Sequence, residues 1–322
     1  MPLSLGWAGV PVFFVVSGFC IHLSFSRNPS WRNFGIRRFF RIYPPYFFAV
    51  LLFALVIPWS RSDDGFSGAA QIGNHLALLR NFDSRFYFGI NPSFWSIAIE
   101  AQLYVLYPIL LALVTRLGWR RSLGYIAVLE LGLRLVLAIY FVIKGRMVSP
   151  PLGGLPLLYW YSWSICAAVA EAYVLGRPIP FSNHSVLAWS VIAIGSNFLK
   201  PFAPFSFLFF ALLTATVIAK LLRYQHLTFR LPVFFSRSFS IIGVWSYSIY
   251  LLHQPLLGLA PQVVAKFSLP DYLQELGTFA LCLCFWFPIV ELSALWYRVV
   301  ELPSIALSKR VIANISATTL ND

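Results

Sequence analysis

Residues 88–108, FGINPSFWSIAIEAQLYVLYP, place one carboxylate, Glu100, in a run otherwise apolar enough to sit in lipid. A charge at membrane depth costs about 2.5–3.5 kcal/mol even on lenient insertion scales, so it is kept for a partner or for a task. Ser96, Glu100, Tyr104 and Tyr107 recur at i, i+4, i+8 and i+11, which puts them on one polar-aromatic stripe of a helix. That stripe reads either as a carboxylate bonded by tyrosine hydroxyls to hold helices together, or as the wall of a substrate pocket. A second stripe, Ser246, Tyr250 and His253 in WSYSIYLLHQP, brings an imidazole. A carboxylate that orients an imidazole is the pairing used in general acid–base catalysis, although a lone histidine in an apolar helix is more often a bonded core residue. The cluster IRRFFRIYPPY (36–46) holds Arg37, Arg38 and Arg41, with Arg38 and Arg41 on one helical face. Guanidinium forks bind phosphates in a bidentate fashion, and the plainer role for such a cluster is an anchor at anionic headgroups. A phosphate clamp below a pocket suggests a phosphorylated carrier or coenzyme.

The elements that must position these groups are membrane-spanning helices. Apolar segments of spanning length are drawn at 7–25, 42–60, 93–114, 122–143, 157–175, 185–200, 204–222, 240–260 and 276–297. The expectation is an all-α integral membrane protein, a polytopic bundle of about nine transmembrane helices forming one domain over residues 1–322. If the first segment runs outward to inward, 16 of the 24 Lys and Arg flank the inner side and seven the outer. The positive-inside rule then sets the N-terminus outside and the C-terminus in the cytoplasm. On that layout Glu100 lies roughly 10 Å below the outer surface and His253 roughly 20 Å above the inner one, at similar depth.

Composition agrees. Hydrophobic residues make up 59% of the 322, charged residues only 11%, and mean hydropathy is +0.75. A soluble domain carries about 25% charged residues. The net charge of +13 sits in short clusters between apolar runs, which reads as topology signal and argues against nucleic acid. Cys20, Cys166, Cys282 and Cys284 lie in apolar stretches with neither a disulfide framework nor zinc spacing, and no metal is expected. Of the remaining buried charges, Glu130 and Arg134 are spaced to neutralise each other. Glu171 and Glu291 lie near Arg177 and Arg298, and His22 is placed to reach the interface. Ser17-Gly18 reads as a small-residue point of close helix approach, with no base adjacent to make the serine a nucleophile.

VFFVVSGFCI (12–21), RRFFRIYPPY (37–46), WSIAIEAQLYVLYP (95–108), YSIYLLHQP (247–255) and VVELP (299–303) resemble, in order and spacing, the motifs of the acyltransferase-3 family. Its members are integral-membrane O-acyltransferases acting on bacterial surface and secreted carbohydrates. The resemblance covers essentially the whole chain, the stretch 120–235 matching only as apolar helices. It implies a bundle of about ten helices in the bacterial cytoplasmic membrane. An acyl group, commonly acetyl, passes from an acyl-CoA donor on the cytoplasmic side to a hydroxyl of a lipid-linked or exported carbohydrate. Carried over by motif, Arg38 and Arg41 are the paired arginines, with Arg37 beside them at the donor. Glu100 is the WSxxxE carboxylate and His253 the histidine of YSxYLxH; from their places on the two stripes, Ser96, Tyr104, Tyr107 and Tyr250 are expected to bind the acceptor. Family members carry a further helix before the FFxxSGF segment, with an arginine and the histidine usually assigned catalysis. The sequence as written lacks it, so His253 is the best remaining base, and an inactive truncated homologue is the alternative. A glycan or anion transporter is a further alternative, for which inverted repeats are expected and none is found.

Overall fold

The computed structural model describes residues 6–56, 68–87, 89–146, 148, 150–224 and 233–318. Ten helices carry the argument: α1 Gly9–Arg27, α2 Trp31–Val56, α3 Gly68–Leu76, α4 Phe94–Lys144, α5 Trp160–Val174, α6 Val186–Phe198, α7 Ala203–Arg223, α8 Val233–Leu257, α9 Asp271–Trp296 and α10 Leu302–Thr318. No β-strand occurs among the described residues. Five helical stretches there are long and apolar enough to cross a membrane: Gly6–Arg27, Trp31–Val56, Phe94–Lys144, Lys200–Arg223 and Asp271–Ala317. Val105, Val128, Leu187 and Phe287 are 72 to 75% exposed. In water such a surface would aggregate, whereas hydrocarbon is its natural solvent. The protein is an all-α membrane protein, as its composition requires.

The two expected segments, 93–114 and 122–143, are two helices that follow each other within the span labelled α4 and meet at a break at Gly118. At Gly118 the backbone takes φ 76°, ψ 162°, a conformation open to glycine, and helix resumes at once on the far side. The second segment also begins earlier than expected. α2 starts at Trp31 and runs straight through Pro44 and Pro45. A proline at 44 removes the N–H that would bond the Phe40 carbonyl. Ser304 Oγ, on α10, donates to that carbonyl instead, so the helix continues.

The described residues fall into two compact units, one within 1–29, 80–87 and 95–228, the other within 30–79, 88–94 and 229–322. In the first, α1 packs against α5 and α7 around Val15, Ile165, Cys166, Val169, Leu208 and Ala211. Gly18 makes the approach possible, since a Cβ there would stand 2.1 Å from the Trp163 carbonyl oxygen. Gly18→Ala should therefore push α1 off α5 and lower stability by about 1–3 kcal/mol, visible as a drop in the thermal midpoint of the detergent-purified protein. An unchanged midpoint would show that the helices can part freely.

Glu130 and Arg134 form the buried pair expected from their spacing, 3.0 Å apart. The carboxylate also accepts from the backbone N–H of Tyr161 and Ser162 and from Ser162 Oγ. It thus caps the first turn of α5, where Tyr159 offers no side-chain cap. Arg134 donates to the carbonyls of Leu158 and Pro204 and lies over the Tyr159 and Phe207 rings. A charge pair whose groups are bonded this fully is structural cement.

In the second unit, α8 packs on α9 and on α2, and α10 lies along α2. Between α9 and α10, residues Tyr297–Glu301 form a π-helical turn. The segment after α2 is tied back to it: Tyr43 donates to the Leu76 carbonyl and Tyr46 to that of His75.

Candidate functional site

The stripe on α4 faces α1. Ser96, Glu100 and Tyr107 are buried, and Glu100 retains 4% exposure. Glu100 Oε1 accepts a hydrogen bond from Ser17 Oγ at 2.7 Å and another from the Tyr104 hydroxyl one turn along. Trp163 Nε1 on α5 donates to Ser17 Oγ at 3.3 Å. The sequence offers Ser17 no neighbouring base, but 83 residues later in the chain it supplies Glu100, and the close approach at Gly18 delivers it. The result is a carboxylate with two hydroxyl donors in an apolar surround, an arrangement able to polarise a hydroxyl or hold a proton.

Five residues on along α1, His22 differs from expectation. It does not extend to an interface; it is 4% exposed and bonded on both ring nitrogens. Nε2 lies 2.9 Å from Glu171 Oε2 and Nδ1 2.9 Å from the Tyr107 hydroxyl. Trp119 meets the ring edge-on at a centroid distance of 5.2 Å. Glu171 thus takes the imidazole as its partner, where the sequence had suggested Arg177. The reason is again tertiary, because the close packing of α1 on α5 sets the His22 ring against Glu171.

The basic cluster lies in the second unit. Arg41 Nη1 pairs with Glu301 Oε1, and Ser248 Oγ on α8 donates to Glu301 Oε2 at 2.6 Å. Glu301 is fully buried, on the π-helical turn. Wide turns of this kind are frequent at functional sites because they re-aim one side chain within a helix. Arg37 Nε and Nη2 and Arg38 Nε are buried without a partner among the described residues. Arg38 lies over the Phe34 ring at 5.9 Å. Arg41 thus has a carboxylate partner at the helix junction, while Arg37 and Arg38 keep buried nitrogens without one among the described residues.

On α8, His253 Nδ1 lies 2.9 Å from the carbonyl oxygen of Tyr250, and 3.2 Å from that of Ile249. A carbonyl only accepts, so Nδ1 carries the proton and Nε2 keeps a lone pair, the form a base needs. The ring is set by its surroundings. Pro255 lacks the N–H that would bond the Leu251 carbonyl, and Asn91 Nδ2 donates there at 2.9 Å. Tyr250 donates its hydroxyl to the Ser93 carbonyl at 2.9 Å. NPSF and YSIYLLHQP are therefore stitched together by the proline in one and the asparagine in the other. An apolar crevice of about 280 Å³ in the same unit, bounded by Leu52, Leu252, Leu292 and Trp296 among others, suits a hydrocarbon chain rather than a polar acceptor.

The acyltransferase-3 family model, described as an acyltransferase domain, matches residues 3–291. The chain belongs to the acyltransferase-3 family. O-acetyltransferase OatA of Staphylococcus aureus (strain NCTC 8325 / PS 47) is 25% identical over 339 residues, covering 94% of this chain and 53% of the relative. Peptidoglycan O-acetyltransferase OatA of Listeria monocytogenes is 26% identical over 339 residues, covering 92% and 51%. A putative O-acetyltransferase of Staphylococcus aureus (strain COL) is 24% identical, covering 94% and 53%. The chain spans about half the length of these curated relatives. No solved structure matches.

Within this acyltransferase-3 chain, Ser96, Glu100, Tyr104 and Tyr107 belong to the first unit. Arg37, Arg38, Arg41, Tyr250 and His253 belong to the second. Three participants escaped the sequence reading: Glu301, Ser17 as a hydrogen-bond donor, and the Glu171–His22 pair. For Glu301 a signal was present, since VVELP was among the stretches that carried the resemblance, although it lies beyond the matched residues 3–291, and its glutamate is an acidic residue in an apolar stretch.

Proposed function

We propose that this protein is a membrane O-acyltransferase that moves an acyl group, acetyl in the simplest case, from acyl-CoA to a hydroxyl of a cell-surface carbohydrate. It would lie in the bacterial cytoplasmic membrane with the N-terminus of the given sequence outside and its C-terminus in the cytoplasm, residues 1–322 acting as one transmembrane domain. The observation that carries the proposal is Glu100, a carboxylate buried to 4% and bonded by Ser17 and Tyr104, on the family's WSxxxE motif. The relatives' names support acetyl as the group and, for one of them, peptidoglycan as the acceptor.

In this reaction the acceptor oxygen attacks the thioester carbonyl, the C–S bond breaks, and the hydroxyl proton is given up as the thiol leaves. Within the first unit, Glu100, with Tyr104, polarises the acceptor hydroxyl, and Ser96 and Tyr107 shape its surroundings. His253 serves as the base through Nε2. Arg37 and Arg38 fit the donor's phosphates, because each has a buried guanidinium nitrogen still lacking an acceptor. Arg41 orders the arginine cluster through Glu301.

The test is transfer of labelled acetyl from acetyl-CoA to glycan in membranes carrying the protein. Arg37→Gln with Arg38→Gln should raise KM for acetyl-CoA tenfold or more, on the order of one lost charged hydrogen bond, with kcat changing little. Glycan moving across the membrane without acylation would overturn the reading in favour of transport. An unaltered KM would remove the arginines from donor binding.

A further inference from the structure

Glu100 is 4% exposed, and it can polarise a hydroxyl only as the carboxylate, so its own proton must have a route to water. Tyr107, which also belongs to the proposed acceptor surroundings, leads with His22 and Glu171 toward the surface of the first unit. Tyr107 stands one turn beyond Tyr104 on the same face of α4, about 4.5 Å of helical rise, a step that a rotating hydroxyl or one water spans. The Trp163 ring, whose N–H bonds Ser17, meets the Tyr107 ring edge-on at 5.8 Å, so the two groups share a wall. From the Tyr107 hydroxyl the path runs 2.9 Å to His22 Nδ1, across the imidazole, and 2.9 Å from Nε2 to Glu171. Exposure rises along it. The Tyr107 side is fully buried, the His22 side chain is 5% exposed and that of Glu171 29%.

We propose that Tyr107, His22 and Glu171 are the proton outlet of the Glu100 cluster. The inference rests on the reading that Glu100 takes part in acyl transfer. The chemistry of the imidazole is what distinguishes an outlet from a brace. With Nε2–H donated to the Glu171 carboxylate, Nδ1 accepts from the phenol. When a proton arrives at Nδ1, Nε2–H can pass to the carboxylate, and neither hydrogen bond has to be broken. No bond to carbon changes, and the proton leaves Glu171 for water. Chains of carboxylate, imidazole and hydroxyl inside membrane helices are the usual material of proton relays. His22 and Glu171 are positioning residues in this scheme, for they act on the acceptor only through the Glu100 cluster.

The decisive experiment does not depend on catalysis. In the purified full chain, the infrared carboxyl band that disappears in Glu100→Gln is followed after a pH jump in D2O. Its relaxation should slow tenfold or more in Glu171→Gln and in His22→Gln, and a small weak acid such as azide should restore it. Thermal midpoints are read in parallel. A band that relaxes equally fast in the variants, or one absent at every pH, overturns the proposal. So does slowing that tracks loss of the fold and resists azide, which assigns the trio to packing alone. In acetyl transfer, the same variants should lower kcat without changing KM for the donor, with rescue by azide. Wild-type protein that shows the fast band yet transfers nothing would refute the functional reading and leave the outlet standing.

Discussion

Glu100→Gln should reduce acyl transfer by about 10²–10⁴-fold, the range a positioned acid or base contributes, and leave the protein folded. The amide oxygen can still accept from Ser17 and Tyr104, as Oε1 does now, so the contact between α1 and α4 survives. What is lost is the negative charge and the ability to hold a proton. Labelled acetyl incorporated per folded molecule is the measurement, with the thermal midpoint as the control on folding. Activity within a few-fold of wild type would reduce Glu100 to a helix fastener and take the proposed mechanism with it.

The largest stability effect is expected at the other charged knot. Arg41→Met leaves Glu301 fully buried with Ser248 as its remaining named donor. Removing one member of a buried ion pair destabilises by about 3–5 kcal/mol, because the partner's charge is left uncompensated. Arg41 is 36% exposed, so water relieves part of this and the lower end is the better expectation. Replacing both residues, Arg41→Met with Glu301→Met, should recover most of the loss, since an apolar pair of similar volume is often neutral. Thermal unfolding of the two single variants and the double variant gives the coupling directly. A single variant that melts like wild type would mean the pair carries no net stability.

Much of the architecture is legible in the sequence because lipid imposes a simple length rule on apolar runs. Glu130 and Arg134 are found the same way, four residues apart on one helix. What escapes is whatever depends on a distant partner. Pro44 and Pro45 sit inside α2, where Ser304, 264 positions beyond Phe40, takes up the Phe40 carbonyl. Glu171 looks destined for Arg177 because the two are neighbours in sequence; its real partner, His22, is 149 residues away and is delivered by the missing side chain of Gly18. The stripe on α4 could be placed on one face from spacing alone. Its donor Ser17 could not, because nothing in a single sequence says which helix a face will meet. The division of the expected site residues between two units is likewise absent from any local pattern.

The widened turn at Tyr297–Glu301 bears on how this family can vary in length. Dropping one residue there would restore an ordinary α-helix and swing everything downstream by about 100° and 1.5 Å. Ser304 would then turn away from the Phe40 carbonyl, and Glu301 from Arg41 and Ser248. Side chains in that stretch can be exchanged one at a time, but its residue count is locked. Insertions and deletions among descendants of this chain should gather elsewhere and leave that interval untouched.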